Sequence, residues 1–134
     1  EKIDPVEKNV FKESSRINST FGGNLVDMVR FKLILEVIEK ENLVAKAEKL
    51  GQYLLEKIEE LLREYPNLSN QRGKGLLCAF DFDTVENRDA FLKRTLENKL
   101  LILGCGDKSV RFRPHLNVTV EDIDKTFELV RKSL

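Results

Sequence analysis

Apolar positions recur along most of the chain at intervals that separate helices from strands. From Asn24 to about Glu41 the pattern is helical, with Leu25, Met28, Val29, Leu33, Leu35, Val37 and Ile38 covering more than one face. That breadth predicts a helix buried on two sides, between this domain and a neighbouring one. The next run is narrower. Leu43, Ala47, Leu50, Leu54, Ile58, Leu61 and Tyr65 follow three-and-four spacing until Pro66 stops them, which predicts a one-faced helix lying on a core.

Beyond Gly73 and Gly75 the period changes. In "LLCAFDF" the residues Leu76, Cys78, Phe80 and Phe82 alternate with Leu77, Ala79 and Asp81, the signature of a mostly buried strand. A helix follows from about Glu86 to Asn98, with Phe91, Leu92, Thr95 and Leu96 on its inner face. "LLILGCG" reads as a second strand ending in glycines, and "SVRFR" as a third closed by Pro114. Thr119 opens the last helix with Asp122 three positions on, an aspartate version of the capping box, and Ile123, Phe127, Val130 and Leu134 form its stripe. The glycine pairs "RGKG" (Arg72 to Gly75) and "GCG" (Gly104 to Gly106) match no nucleotide-loop spacing and read as turns. The order helix, helix, strand, helix, strand, strand, helix predicts an α+β domain: a three-stranded, largely antiparallel sheet with helices packed on one face.

At 134 residues the chain is one domain's worth of material, enough to bury roughly two thirds of its unfolded surface. Charge adds little to this picture, since 23 Lys plus Arg balance 23 Asp plus Glu and no net field favours nucleic acid or an acidic membrane. No apolar run approaches the length of a membrane span. Cys78 and Cys105 show no CxxC spacing and, with His115 as the single histidine, cannot complete a conventional zinc site; they read as buried, reduced thiols of a cytosolic protein. His115 has no acidic or nucleophilic neighbour in sequence and reads as a structural or surface residue.

Two places hold candidate chemistry. On the third strand, alternation puts Val110 and Phe112 on one face and Arg111 and Arg113 on the other. Two guanidiniums sharing a face suit a clamp for a substrate carboxylate; the alternatives are solvated surface arginines or pairing with Asp81 on the strand before. Near the start, "RINSTFGGN" (Arg16 to Asn24) collects the hydroxyls of Ser19 and Thr20 and two glycines ahead of a helix. Those are the ingredients of a phosphate cradle, and equally of a helix N-cap with its lead-in, which composition alone favours.

In order, "SRINSTFGGNLVDMVR", "RGKGLLCAFD", "ILGCGDKSVRFRPHL" and the capped terminal helix resemble the C-terminal part of class III pyridoxal-phosphate-dependent aminotransferases, from about Val10 to the end of the chain. Within that class "RINSTFGGN" is similar to the lysine 6-aminotransferase branch, whereas "GCGDKSVRFRPHL" is similar both to that branch and to the 4-aminobutyrate aminotransferases. The resemblance implies the small C-terminal domain of a fold type I enzyme, with residues 1–23 as an interface segment continuing from a large domain upstream and residues 24–134 as the small domain. It implies a cytoplasmic homodimer with pyridoxal 5'-phosphate as cofactor. Thr20, with Ser19 beside it, would reach across the dimer to the cofactor phosphate of the partner subunit. Arg111 would bind the carboxylate of glutamate or 2-oxoglutarate, and Arg113 stays structural.

The reaction so implied moves the ε-amino group of L-lysine to 2-oxoglutarate, giving 2-aminoadipate 6-semialdehyde and glutamate, as in lysine degradation. In the family the lysine that binds the cofactor lies upstream, so no catalytic residue is expected in this chain, which reads as an inactive piece of a longer transaminase. The alternatives are a 4-aminobutyrate or other ω-amino acid aminotransferase, and a non-enzymatic α+β module that grips an acidic metabolite.

Overall fold

The computed structural model describes residues 5–7, 9, 12 and 19–134. Arg16, Ile17 and Asn18 of the first motif, and most of the 1–23 segment, lie outside the described residues. The chain divides into two compact units, residues 1–40 and 41–134.

The first unit carries α1 (Leu25–Lys40). Its start is set by Asn24, whose Oδ1 accepts the Val26 N–H at 2.9 Å, an N-cap that satisfies one of the orphaned donors of the first turn. Asp27 in the first turn and Lys40 in the last complement the helix dipole. The expected boundaries hold, and within this chain no residue of α1 is buried. Leu25 is 77% exposed and Phe31 62%. Apolar periodicity reports how much surface asks for cover, and it carries no information on what supplies the cover.

The second unit contains α2 (Leu43–Glu64), β1 (Leu68–Lys74), β2 (Leu77–Phe82), α3 (Val85–Glu97), β3 (Leu103–Cys105), β4 (Ser109–Phe112) and α4 (Val120–Ser133). Its sheet runs β1-β2-β4-β3 with every neighbouring pair antiparallel. The α+β class and the antiparallel sheet are as expected, with one correction: there are four strands where three were expected. The missed strand is β1, and the reason is physical. Of its residues "LSNQRGK" only Leu68 is buried, so no alternation of apolar side chains marks it; pairing with β2 makes it a strand. "RGKG" is therefore mostly strand rather than turn, with Arg72, Gly73 and Lys74 paired to Ala79, Cys78 and Leu77. The turn itself shrinks to Gly75, at a φ of 53°, and Leu76.

A bulge interrupts β1, because Ser69 pairs with Asp81 while Arg72 pairs with Ala79. The extra residue is accommodated by Asn70 in the left-handed region at a φ of 55°. The bulge re-aims the polar side chains of β1 across the sheet.

All three helices of this unit lie on one sheet face. Leu54, Ile58 and Leu61 of α2, Phe91 of α3, and Ile123, Phe127 and Val130 of α4 pack with Cys78, Phe80 and Phe82 of β2 and with Val110 and Phe112 of β4. The aromatic rings interlock, Phe82 with Phe91 at 5.1 Å between centroids and Phe112 stacked on Phe127 at 5.4 Å. Leu96, expected on the inner face of α3, points outward at 64% exposure, and Phe91 and Thr95 form that face instead. The capping box of α4 is present as expected: the Asp122 N–H donates to the Thr119 hydroxyl at 3.1 Å and the Thr119 N–H to the Asp122 carboxylate at 3.0 Å. Such a cap stabilises by about 1 kcal/mol. Among the described residues no helix is long and apolar enough to cross a membrane.

Candidate functional site

With the helices on one side, the opposite sheet face carries polar side chains together with Ala79 and the exposed Leu77 and Leu103. Register sets their neighbours. Arg72, Ala79, Arg111 and Leu103 stand abreast across the four strands, and next to that row stand Ser69, Asp81, Ser109 and Cys105. A shallow depression of about 480 Å³ lies on this face, bordered by Arg72, Leu77, Ala79, Cys105 and Arg111.

Arg111 is the expected carboxylate ligand, and its setting is unusual. Its Nε is buried and has no hydrogen-bond partner among the described residues. A buried donor left unmade costs about 1–3 kcal/mol, and no acceptor for this one lies among the described residues. The rival expectation, pairing of the strand arginines with Asp81, is corrected by the structure. Asp81 belongs to Arg72, whose Nη1 donates to Oδ1 at 2.9 Å, to Asn70, whose amide donates to Oδ2 at 2.7 Å, and to Ser109, whose hydroxyl donates to Oδ1 at 2.5 Å. Arg72 also donates to the Ser109 hydroxyl oxygen at 2.9 Å and to the Asn70 carbonyl at 2.8 Å. Burial alone would raise the Asp81 pKa; the hydrogen bonds from Ser109, Asn70 and Arg72, with the Arg72 charge, outweigh it and hold the carboxyl below its ordinary value.

This network was not foreseen, because Arg72 sits in a segment that reads as a turn. The detectable signal was Asp81 itself, an acid at a position in a buried strand that needs a nearby donor. Arg113, expected to share the strand face, lies just past the end of β4 and is exposed. With Arg111 it borders a smaller hollow of about 270 Å³ beside Leu101, Leu103 and Pro114.

The remaining candidates fall as follows. Cys78 is buried and its thiol is pushed up to about 11 by burial, which makes it inert. Cys105, expected to be buried, is half-buried on the open sheet face; both cysteines are free. The Nδ1 of exposed His115 lies 2.9 Å from the Asn117 Oδ1.

Ser19 and Thr20 belong to the first unit, in the turn that leads into α1. The Ser19 carbonyl accepts the Gly22 N–H at 3.0 Å, its hydroxyl accepts the Phe21 N–H at 3.3 Å, and Gly23 takes a φ of 76°. Ser19 thus organises the turn, and the exposed Thr20 side chain takes no part in these bonds. Asn24 caps the helix, as the lead-in reading expects, and the Thr20 side chain is exposed at the turn before it. A hydroxyl donor at a glycine-containing turn before a helix N-terminus, with the first acid, Asp27, paired to Arg30 at 3.0 Å, fits a phosphate group.

Residues 6–134 match the family described as Aminotransferase class-III. The chain is 42% identical over 134 residues to an L-lysine-epsilon aminotransferase of Mycobacterium bovis and 44% identical over 135 residues to that of Amycolatopsis lactamdurans, covering 99% of this chain in each case. Among solved structures, a lysine aminotransferase from M. tuberculosis superimposes with a TM-score of 0.88 at 42% identity over 100% of this chain. The chain spans 30% of the length of the two curated relatives and 31% of the solved chain.

Proposed function

The chain belongs to the class-III aminotransferase family, whose members depend on pyridoxal 5'-phosphate, and from that premise we propose that the full-length protein moves the ε-amino group of L-lysine to 2-oxoglutarate. The products are then 2-aminoadipate 6-semialdehyde and glutamate. The observation that carries this reading is identity of 42–44% to L-lysine-epsilon aminotransferases over 99% of the chain.

Within that reading the chain supplies recognition. Residues 24–134 act as the small domain, and residues 1–23 lead in from the large domain as an interface segment of a homodimer. When bound, the cofactor supplies an electron sink for the carbon that exchanges its amino group. Thr20, with Ser19 shaping the turn beneath it, donates its hydroxyl to the cofactor phosphate of the partner subunit. Arg111 grips a carboxylate of 2-oxoglutarate or glutamate, and its planar fork fixes the orientation of the dicarboxylate as well as its charge. The aromatic core beneath β4 keeps that strand rigid, which holds the fork at one height above the sheet.

Substrate profiling tests the reaction. The full-length protein supplied with 2-oxoglutarate is expected to turn over L-lysine and release the 6-semialdehyde; oxidation of 4-aminobutyrate with no turnover of lysine overturns the assignment. The phosphate role has its own test. Thr20→Ala is expected to release the cofactor on dialysis faster than wild type, with about a tenfold weaker Kd for the loss of one charge-assisted hydrogen bond. Retention equal to wild type, followed by the cofactor's absorbance, removes Thr20 from the site.

A further inference from the structure

We propose that Ser109 is a positioning residue for the dicarboxylate substrate: its hydroxyl, held between Asp81 of β2 and Arg72 of β1, fixes the register of β4 and with it the place of Arg111 on the sheet. The proposal rests on the carboxylate role given to Arg111 above.

β4 is only four residues long, Ser109 to Phe112, and its apolar side chains settle which way it faces but not where it stands. Val110 and Phe112 are buried in the core, so a slip of one residue would turn them out to the open face and is strongly disfavoured. A slip of two keeps every side chain on its own face. Alternation offers no resistance to it, although it would carry Arg111 about 7 Å along β2. The far end of the strand gives little hold, since pairing with β2 stops at Phe112, Arg113 is exposed and Pro114 has no N–H to donate.

Polar ties at the near end single out one register. Ser109 is 7% exposed and stands opposite Asp81. Its hydroxyl donates to the Asp81 Oδ1 at 2.5 Å and accepts from the Arg72 Nη2 at 2.9 Å, so one side chain joins β4 to two other strands. Its carbonyl accepts from the Nη1 of Arg88, on α3, at 3.4 Å. Gly104 makes room for that guanidinium, because a Cβ there would sit 2.7 Å from the same nitrogen. One residue earlier, the Lys108 carbonyl accepts the Phe82 N–H at 2.9 Å, and its ammonium donates to the Asp83 carbonyl at 3.3 Å.

Sliding β4 until Ser109 faces Ala79 would leave the hydroxyl beside a methyl group and take a donor from Asp81; both are buried polar groups that are costly to leave unpaired. Ser109 lies two residues from Arg111 on the same face of the strand, so what holds the one in place holds the other. A carboxylate fork works only when held within about 0.5 Å of its binding geometry.

The experiment uses the full-length enzyme and kcat/KM for 2-oxoglutarate. Ser109→Ala is expected to lower it about tenfold, chiefly through KM, with kcat changed by less than about threefold. In an Arg111→Ala background the same substitution is expected to cost less than about twofold, because a residue that acts through Arg111 then has nothing left to position. Ser109→Thr and Ser109→Val match in shape and differ in the hydroxyl, and both suit a strand. Ser109→Thr is expected to stay within about threefold of wild type and Ser109→Val to fall about tenfold, and this pair decides the matter where Ser109→Ala does not fold. An equal loss with and without Arg111 overturns the proposal, since Ser109 then supports the domain in general. Equal losses in Ser109→Thr and Ser109→Val overturn it as well, by attributing the effect to volume, and so do wild-type kinetics in Ser109→Ala. Failure of the underlying reading looks different: Arg111→Ala by itself would keep the wild-type kcat/KM for 2-oxoglutarate.

Discussion

Replacing Arg111 by alanine in the full-length protein is expected to lower kcat/KM for 2-oxoglutarate by about a hundredfold, and to leave the thermal midpoint unchanged or higher. The two halves of this result have one cause. A buried charged contact between guanidinium and carboxylate contributes about 2–5 kcal/mol to a bound complex, and each 1.4 kcal/mol is about tenfold. Without substrate, however, the same side chain contributes nothing favourable through its Nε, which is buried and makes no hydrogen bond. Truncation removes a donor that has no partner among the described residues, so the packing of this domain has little to lose. An arginine kept for structure behaves in the opposite way, with the midpoint falling and kinetics barely moving; that outcome would place the carboxylate elsewhere. Arg111→Lys is expected to recover only part of the loss, because an ammonium keeps the charge but not the bidentate fork.

The second large effect is on stability. In an ordinary helix interior, replacing glycine by alanine stabilises by about 1 kcal/mol. At Gly51, in the middle of α2, the sign is expected to reverse. A Cβ built there would overlap the carbonyl group and Cα of Gly75, in the tight turn between β1 and β2. Neither side can yield cheaply: Gly51 is locked in a helix, and Gly75 holds a φ of 53° that a tight hairpin needs. Overpacking of this kind costs about 1–3 kcal/mol with flexible neighbours, and here the neighbour is backbone. Gly51→Ala is therefore expected to lower the thermal midpoint of the full-length protein by several degrees, about 2–4 °C per kcal/mol for domains of moderate size. Gln52→Ala, one residue on and exposed, serves as the control and is expected to leave the midpoint in place. A stabilised Gly51→Ala would show that α2 does not cross the hairpin this closely.

The same contact links stability to the candidate site. Pressed against Gly75, α2 pins the hairpin, and the hairpin carries Arg72 into register with Ala79 on the open face. The Gln71 amide adds a second tie, donating to the Leu55 carbonyl of α2 at 2.8 Å. Loosening of that corner is thus felt by the polar network as well as by the core.

Local rules were enough for much of this. The long stripe from Leu43 to Tyr65, stopped by Pro66, specified α2; the Thr119 and Asp122 pair specified the start of α4; and alternation in "LLCAFDF" specified β2. In each case the information is short-range, carried by a period of 3.6 or 2 or by a cap whose donor and acceptor lie three residues apart. The opposed faces of β4 were also legible, and with them the orientation of Arg111 away from the core. So was the family, because four ordered segments agree where any one of them is weak.

Other features are products of tertiary structure. β1 has no apolar alternation, so it exists as a strand only because β2 offers it an edge. Leu96 belongs to the same periodic pattern as Phe91 and Thr95, yet it is exposed, because the width of the buried stripe is set by the neighbours of α3 rather than by its own sequence. The partner of Asp81 could not be read from spacing: Arg72 and Arg111 both lie on strands beside it, and the register and the bulge of β1 decided for Arg72. The chemistry of the open face follows from that choice. The sequence by itself determined which residues are arginines and which face of the strand they occupy; whether a given arginine is neutralised or left free for a ligand depends on contacts between residues far apart in the chain, and pairing across the sheet settled it.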